Sequence, residues 1–345
     1  MRSPQQDFLQ QGLDAQRRGA YDEAEGWFRR SVDAGEPDAP YYLGELLADL
    51  GRLPDAERML RLTLSGGDVD AHIPLGNVLA DQGRDEKAER HYQLAAQAGQ
   101  PAGLTNLGIL RAARGDHMAA EEILREALRA GDDAHVPLAD VLADRGETQE
   151  AEELYLQAVA LGQDHAMVEL GAMYKDRGRA DDALRVLGDA IAAGCDEAYL
   201  FLGHLLSSLG RVSDAEALYK RALDGGYDEV LVNYANLLAD KGEARRAEQF
   251  YCRALEAGDE DARQNLAVLL ETQEGREAEA ESLYAAAVAA GDALAMRNYG
   301  IFLAERSRTA EAEAILRRAV RAWDPEAGDR LAEVAAEAAA RRNEA

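Results

Sequence analysis

The chain has 345 residues, of which 38 are basic and 65 acidic, and its formal net charge at pH 7 is -27. A charge of this size repels phosphate backbones and anionic membrane surfaces, so we expect neither nucleic acid nor a membrane as a partner. The sequence has no long uncharged apolar run, no signal-like N-terminus, and no CxxC motif around Cys195 or Cys252. These features favour a soluble cytoplasmic protein with reduced thiols.

A sequence repeat of about 32 residues recurs along most of the chain. It is marked by a glycine followed five residues later by an alanine. The glycines are Gly19, Gly51, Gly83, Gly115, Gly146, Gly178, Gly210, Gly242 and Gly275, with Ser307 in the tenth place. The alanines are Ala24, Ala56, Ala88, Ala120, Ala151, Ala183, Ala215, Ala247, Ala280 and Ala312. Self-similarity at this period is typical of solenoids and propellers.

Each repeat contains two segments with apolar residues three and four positions apart, which predicts two amphipathic helices, A and B. The marker glycine lies between them, and a second glycine follows helix B, where both suit the left-handed backbone that ends helices. Helix A usually carries a Leu-Gly pair, such as Leu202-Gly203, and the small residues let the two helices approach closely. Large residues such as Tyr92 are expected to fill the gap to the next hairpin. Because one hairpin cannot bury its apolar face alone, neighbouring hairpins must stack.

The combination of Leu-Gly, an alanine thirteen residues after that leucine, an aromatic residue and a further alanine resembles the tetratricopeptide repeat. The ending AVALGQDHA at 158–166, which reads Ala-x-x-x-Gly-x-x-x-Ala, resembles the related Sel1-like repeat. The resemblance implies an all-α fold, a right-handed α-solenoid (superhelix) of about ten helix-turn-helix repeats over residues 1–327. The repeats are 8–39, 40–71, 72–103, 104–134, 135–166, 167–198, 199–230, 231–262, 263–295 and 296–327. Residues 328–345 are expected to form a capping helix and tail without a function of their own.

The motifs of catalysis and cofactor binding are absent from the sequence: it has no Gly-rich phosphate loop, no HExxH and no GxSxG. We therefore predict no enzyme, no cofactor and no metal site. The histidines are His72, His91, His117, His135, His165 and His204, and no two are spaced to face each other on a helix turn. His72 and His135 occupy equivalent positions that suit half-buried packing, with a metal or acid–base role as the alternative. His204 is predicted to project from helix A.

A row of glutamates follows the marker alanine: Glu25, Glu57, Glu89, Glu121, Glu152, Glu216, Glu248, Glu281 and Glu313. Five of them have a base four residues later, namely Arg29, Arg61, Arg125, Lys220 and Arg317. Such pairs support exposed helices by roughly 0.3 kcal/mol each. This row is therefore predicted to form a solvated face.

A second acidic row lies near the end of helix A: Asp49, Asp81, Asp144, Asp176, Asp240 and Glu305. Acids in a last helical turn oppose the helix dipole, so helix stability does not explain them. In four repeats an arginine follows three residues later, at Arg52, Arg84, Arg179 and Arg308, so a local ion pair is one explanation. The resemblance implies another, because helix A lines the concave groove in that family. The groove would then contain the six acids, with Tyr41, Glu45, Asn77, Asp140, His204 and Asn236 nearer its floor; a solvated acidic face is the alternative.

Two functions remain in consideration. The first is a non-catalytic interaction module or scaffold whose acidic concave groove binds a peptide or helical segment of a partner protein, of basic or mixed charge. The second is a self-assembling structural scaffold, a homodimer or larger homo-oligomer joined through its terminal repeats, where Trp27 and Trp323 are the large apolar residues. A clamp for a terminal carboxylate is disfavoured, because the corresponding face is acidic apart from Lys175 and Arg17.

Overall fold

The computed structural model describes residues 7–344, with side chains up to residue 336. Over residues 7–344 the regular secondary structure is helical and no strand occurs, which confirms the all-α prediction. Residues 1–6 and 345 of the predicted solenoid and tail lie outside this range. The chain divides into two units of close contact, with the boundary between Glu169 and Leu170. No helix in the described part of the chain is both long and apolar enough to span a membrane.

Unit 1 is built from five helical hairpins, in which the odd-numbered helix is helix A and the following even-numbered helix is helix B. Its helices are α1 (Phe8–Arg17), α2 (Tyr21–Asp33), α3 (Ala39–Asp49), α4 (Leu53–Ser65), α5 (His72–Asp81), α6 (Asp85–Gln97), α7 (Ala102–Ala113), α8 (His117–Arg129), α9 (His135–Asp144) and α10 (Thr148–Ala160). A short 3-10 helix, Val69–Ala71, precedes α5. Helix B of each hairpin packs on helix A of the next, and α7 contacts both α5 and α9.

Unit 2 repeats this arrangement. Its helices are α11 (Ala166–Asp176), which begins just before the boundary, α12 (Ala180–Ala193), α13 (Ala198–Ser208), α14 (Val212–Asp224), α15 (Leu231–Asp240), α16 (Ala244–Glu256), α17 (Asp261–Glu271), α18 (Glu277–Ala290), α19 (Ala293–Glu305), α20 (Thr309–Arg321) and α21 (Ala327–Glu344). A 3-10 helix, Asp228–Val230, precedes α15. Successive A helices α13, α15, α17 and α19 contact one another. Each unit is thus an α-solenoid of stacked hairpins, as the repeat predicted.

The turns within the hairpins depend on a left-handed backbone. Gly83 has φ +68°, and a Cβ atom added there would meet nothing within 4 Å, so the backbone conformation alone requires the glycine. Ser307, in the tenth place, adopts the same conformation with φ 60°. At the second glycine position of the last hairpin stands Trp323, with φ 63°. Both non-glycine residues occupy a region that costs an L-residue about 1–2 kcal/mol.

The small residues of the repeat permit close helix packing, as predicted. A Cβ on Gly76 in α5 would lie 2.4 Å from the ring of Tyr92 in α6. The marker alanines, including Ala88 and Ala215, are completely buried. The Tyr92 ring lies over Gly76 of its own hairpin, and only glycine leaves room for it there. The equivalent rings of Tyr219 and Tyr284 also reach the next hairpin, as predicted, with centroids 6.0 Å from Tyr234 and 5.7 Å from Tyr299.

The terminal helix α21 runs Ala327–Glu344, one residue earlier than the predicted capping segment, and packs on α20. Ala327 and Val334 are its buried residues within the range that has described side chains. Its apolar side therefore covers part of the last hairpin. That the helix lacks a function of its own stays a prediction.

Candidate protein-binding surface

The predicted acidic row lies at the solvent-exposed ends of the A helices. All six members are exposed: Asp49, Asp81, Asp144, Asp176, Asp240 and Glu305. The local ion pair that offered one explanation for them is wrong. Arg52 binds Glu25 at 2.7 Å and Asp55 at 2.9 Å, and Arg84 binds Glu57 at 2.7 Å. Arg179 and Arg308 likewise bind carboxylates of helix B, so the arginines that follow the acids do not pair with them.

The pairing of the row differs among its members. In unit 1, Asp49, Asp81 and Asp144 have no ion-pair partner among the residues whose side chains are described. In unit 2 the contacts are long, since Asp176 lies 3.8 Å from Lys175 and Glu305 lies 3.8 Å from Arg306. The A-helix ends of unit 1 thus carry negative charge that the described side chains do not neutralise.

The predicted floor residues hold tyrosine hydroxyls of their own hairpins. Tyr92 donates to Asn77 (2.8 Å), Tyr155 donates to Asp140 (2.5 Å), and Tyr251 donates to Asn236 (2.5 Å). Each bond joins helix B to helix A, and its acceptor residue lies four positions before an acid of the row. These floor positions therefore fix the tyrosine and, through it, the hairpin.

Two floor positions lack such a tyrosine bond. In α3, Glu45 accepts a hydrogen bond from Tyr41 one turn earlier, and burial raises the pKa of Glu45, with a further increase from the charge of Asp49. His204 is exposed, as predicted, and Tyr219 of its hairpin lies over Gly203. The floor is thus a set of polar positions with different local partners.

Asp140 has an ionisable carboxyl group, although an uncharged acceptor is sufficient for the hydrogen bond from Tyr155. Burial raises the pKa of Asp140 and the nearby Asp144 raises it further, while the bond from Tyr155 opposes them. Asn77 and Asn236 accept the equivalent bond without a charge. Because the folded pKa of Asp140 lies above its unfolded value, the ionised carboxylate destabilises the fold at neutral pH.

Replacing Asp140 by asparagine is therefore expected to raise the midpoint of thermal unfolding at pH 7. The gain should shrink as the pH falls below the raised pKa, because Asp140 is then protonated in the wild-type fold as well. Thermal melts of the wild type and Asp140→Asn between pH 3 and pH 7 measure this. Asp144→Asn, at an exposed acid without a tyrosine bond, is the matched control and should change the midpoint less. A lower midpoint for Asp140→Asn at pH 7 would contradict the argument.

The glutamate row is not solvated, contrary to the prediction from its spacing. The side chain of Glu57 is only 11% exposed and that of Glu216 only 14%. The five predicted pairs four residues apart are present: Glu25–Arg29, Glu57–Arg61, Glu121–Arg125, Glu216–Lys220 and Glu313–Arg317. A second base from the next hairpin binds many of the same carboxylates: Arg52 to Glu25, Arg84 to Glu57, Arg111 to Glu89, Arg145 to Glu121, Lys241 to Glu216, Arg276 to Glu248 and Arg308 to Glu281. The row is a ladder of ion pairs that joins successive hairpins within unit 1 and, in unit 2, those from α13–α14 to α19–α20.

Glu216 has the most basic surroundings of the ladder. Hydrogen bonds from Lys220 and Lys241, with a further one from Arg246, lower the pKa of Glu216 to about 2. Because this folded pKa lies below the unfolded value, the pairing stabilises the fold fully above about pH 4.3. The stabilisation is lost as the pH falls from there towards 2.

Glu216→Gln is expected to lower the free energy of unfolding at pH 7 by about 1–2 kcal/mol, less than for a fully buried pair. Urea unfolding of both proteins at pH 7 and pH 2.5 measures the effect, and the difference should narrow at the lower pH. Glu229→Gln, an exposed acid in the same unit, serves as the control and should be nearly neutral. An equal difference at both pH values would contradict the role of the charge.

A histidine pair escaped the sequence analysis, which compared positions only along one helix. His72 at the start of α5 and His91 in α6 approach with their Nδ1 atoms 3.0 Å apart, so the N–H of one ring donates a hydrogen bond to the other ring. An alignment of the repeats indicates that the two histidines are neighbours, because the equivalent residues of the last hairpin, Met296 and Ile315, are apolar and pack in one cluster. Both histidines are half-buried, as expected for His72.

Burial lowers the pKa of His72 and of His91, and for His91 the neighbouring His72, Arg61 and Arg90 lower it further. A lowered histidine pKa means that the fold loses stability as the pH falls below the unfolded value of about 6.5. We expect His91→Leu to reduce this loss, since leucine and isoleucine fill the equivalent position in other hairpins. Thermal melts at pH 7.5 and pH 5 should show a smaller fall in midpoint for His91→Leu than for the wild type. The exposed His204, changed to glutamine, is the control and should retain the wild-type fall.

The side chains described for this chain contain no group of three or more His, Cys, Asp or Glu that suits a metal ion.

Known proteins contain a similar arrangement of helical hairpins. A sequence model of the tetratricopeptide repeat matches residues 9–68, 44–102, 105–166, 170–229, 202–262 and 273–327. The structure of yeast Tom70 superposes with a TM-score of 0.58 at 16% sequence identity, covering 98% of this chain and 96% of that one. The structure of c5321, a protective antigen of uropathogenic Escherichia coli strains that displays an SLR fold, is 21% identical with a TM-score of 0.42, covering 89% of this chain and 73% of that one. No curated protein sequence matches the chain.

Proposed function

Since the chain belongs to the tetratricopeptide repeat family, we propose that it is a non-catalytic interaction module that binds a segment of another protein through the acidic ends of its A helices. Repeat solenoids of this kind present extended surfaces on which many small contacts add up. The partner segment is basic or of mixed charge. It binds as an extended or helical peptide against the exposed acids and the polar floor beside them.

The proposal is supported most by a difference in ion pairing between the two helices of a hairpin: carboxylates on helix B are paired and those at the end of helix A are not. On the B helices, the carboxylates of Glu25 and Glu57 each bind two arginines. On the A helices of unit 1, Asp49, Asp81 and Asp144 have no such partner among the described side chains. A basic segment supplies the missing charge, and the long-range attraction raises its rate of encounter.

Binding of synthetic peptides tests the proposal. A fluorescent 15-residue peptide of alternating Arg and Ala and one of alternating Glu and Ala are titrated separately with the protein, and fluorescence anisotropy is measured at low and at high salt. The basic peptide should bind, and its affinity should fall as salt increases, because exposed charges are screened within about 8 Å at physiological ionic strength. Equal binding of both peptides, or affinity independent of salt, would contradict a charged surface.

A triple variant with matched charge locates the site. The change Asp49→Asn, Asp81→Asn and Asp144→Asn removes three exposed A-helix acids and should weaken binding of the basic peptide at least about tenfold. The control, Asp22→Asn with Glu86→Gln and Glu126→Gln, removes the same charge from exposed positions on B helices. Equal losses in the two triple variants would assign the effect to net charge and reject the A-helix site.

A further inference from the structure

Two histidines of adjacent helices meet at positions where the next hairpin has leucine and isoleucine. His72 begins α5 and His91 lies in α6, with their Nδ1 atoms 3.0 Å apart and their ring centroids 5.2 Å apart. The corresponding residues of the next hairpin are Leu104 and Ile123. Apolar side chains fill such a position without any polar group to satisfy, so packing alone does not require two histidines. We call these two residues the His72–His91 pair.

The separation of the two Nδ1 atoms suits a transition-metal ion. Imidazole nitrogens bind Zn²⁺ at about 2.0–2.1 Å, which places two of them about 2.9–3.3 Å apart for angles between a right angle and a tetrahedral one. The 3.0 Å between the Nδ1 atoms falls within this range. An ion can therefore replace the hydrogen bond without a change in the spacing of α5 and α6. Only the two rings have to turn, so that both lone pairs point to the ion.

The outer sides of the rings allow this exchange. In the hydrogen bond one Nδ1 carries a proton, whereas a metal ion needs both Nδ1 atoms unprotonated, so that proton moves to Nε2 of the same ring. In the part of the chain with described side chains, neither Nε2 has a protein partner and neither is shut off from water. Water therefore satisfies both Nε2–H groups, and the exchange breaks no other hydrogen bond within the protein.

The charges around the pair partly oppose and partly favour a cation. Arg61 and Arg90 lie near His91 and oppose it. The Arg61 guanidinium is bound to Glu57 at 2.7 Å, so its charge is already compensated. The chain as a whole carries a charge of -27, which attracts cations. Imidazole nitrogens suit Zn²⁺, Cu²⁺ and Ni²⁺, whereas Mg²⁺ and Ca²⁺ prefer oxygen ligands.

We propose that the His72–His91 pair binds one divalent transition-metal ion, Zn²⁺, Cu²⁺ or Ni²⁺, through its two Nδ1 atoms. Water completes the coordination, because the described side chains form no group of three or more His, Cys, Asp or Glu around an ion. The ion joins α5 to α6 and stabilises this hairpin as the free metal concentration rises. Metal binding is independent of peptide binding, because it uses none of the A-helix acids.

Calorimetric titration of the full chain, without a polyhistidine tag, tests the proposal. After treatment with a chelator, the protein at pH 7.5 should bind one Zn²⁺ per molecule with a dissociation constant in the micromolar range, and Mg²⁺ should not bind. His72→Leu and His91→Leu should each weaken Zn²⁺ binding at least about tenfold, since even the loss of an outer-shell partner weakens metal sites by that much. Both variants should fold, because leucine occupies the equivalent positions of other hairpins, such as Leu104 and Leu154.

His135→Gln is the matched control. His135 occupies the position of His72 in its own hairpin, where its Nδ1 lies 2.7 Å from a carboxylate oxygen of Asp133 and no second histidine faces it among the described side chains. This variant should bind Zn²⁺ like the wild type.

Two further measurements separate the pair from other sites. Saturating Zn²⁺ should raise the thermal midpoint of the wild type and of His135→Gln and leave that of His91→Leu unchanged. Electron paramagnetic resonance of the Cu²⁺ complex should show two imidazole nitrogens in the wild type and not in His91→Leu. A wild type that binds no Zn²⁺ would mean that the pair is a hydrogen bond only, and equal binding by the wild type and His91→Leu would place the ion elsewhere; either result overturns the proposal.

Discussion

Gly103→Ala is expected to lower the free energy of unfolding by about 3 kcal/mol, the upper part of the usual range for overpacking. Gly103 lies in α7, where it crosses α6 of the preceding hairpin. A Cβ atom there would be 2.6 Å from the carbonyl oxygen of Tyr92 and 2.8 Å from the amide nitrogen of Ala96. Because both are backbone atoms of one helix, they cannot swing away, and the two hairpins would have to move apart. Urea unfolding followed by circular dichroism measures the loss.

The matched control for this change is Gly26→Ala. Gly26 lies inside α2, and a Cβ atom added there meets nothing within 4 Å. Alanine is the better helix former, so this variant should gain about 0.5–1 kcal/mol. Opposite signs for the same chemical change would show that backbone contact between hairpins, and not helix propensity, requires Gly103. A loss below about 1 kcal/mol for Gly103→Ala would mean that the hairpins tolerate wider spacing.

Tyr219→Ala is expected to lower the free energy of unfolding by about 3–5 kcal/mol, as for other large aromatic truncations. Tyr219 is 2% exposed, and its ring lies directly over Gly203 of the same hairpin. Alanine would leave a cavity between α13 and α14 that the glycine cannot fill. The loss is measured by the same urea unfolding experiment.

Leucine at this position provides the control, because the chain already uses it there. In the preceding hairpin Leu187 lies over Gly171 in the way that Tyr219 lies over Gly203. Tyr219→Leu should therefore cost less than about 1.5 kcal/mol. A similar cost for leucine and alanine would show that the hydroxyl of Tyr219 matters more than the volume of its ring.

The fold could be predicted from the sequence because the recurring small residues mark the positions where two helices pack closely. A glycine such as Gly76 or an alanine such as Ala88 recurs where two helices touch, and only a stack of hairpins gives each of them the same neighbour. The exposed position of the acidic row followed from the same register. That Asp140, Asn77 and Asn236 hold tyrosines fifteen residues away did not, because the bond depends on how the ring turns within the hairpin.

The ion-pair ladder was missed for a related physical reason. Rules for charge pairs along one helix detect Glu57 with Arg61, and they assume that the rest of the side chain faces water. Arg84 reaches the same carboxylate from 27 residues away, across the junction of two hairpins. In several repeats an arginine follows the next marker glycine at nearly the same distance from the helix B glutamate. This spacing, combined with the stacking of hairpins, predicts the contact.

The ladder also has one missing rung, at Leu184, where the other hairpins have glutamate. Arg211, which corresponds to Arg84, binds Asp214 of its own hairpin at 2.7 Å instead. In a linear array, the coupling between adjacent units sets how far unfolding spreads from one to the next. The junction of α12 with α13 therefore couples its two hairpins without this ion pair, so acid that protonates the ladder glutamates should weaken the later junctions of unit 2 more than this one.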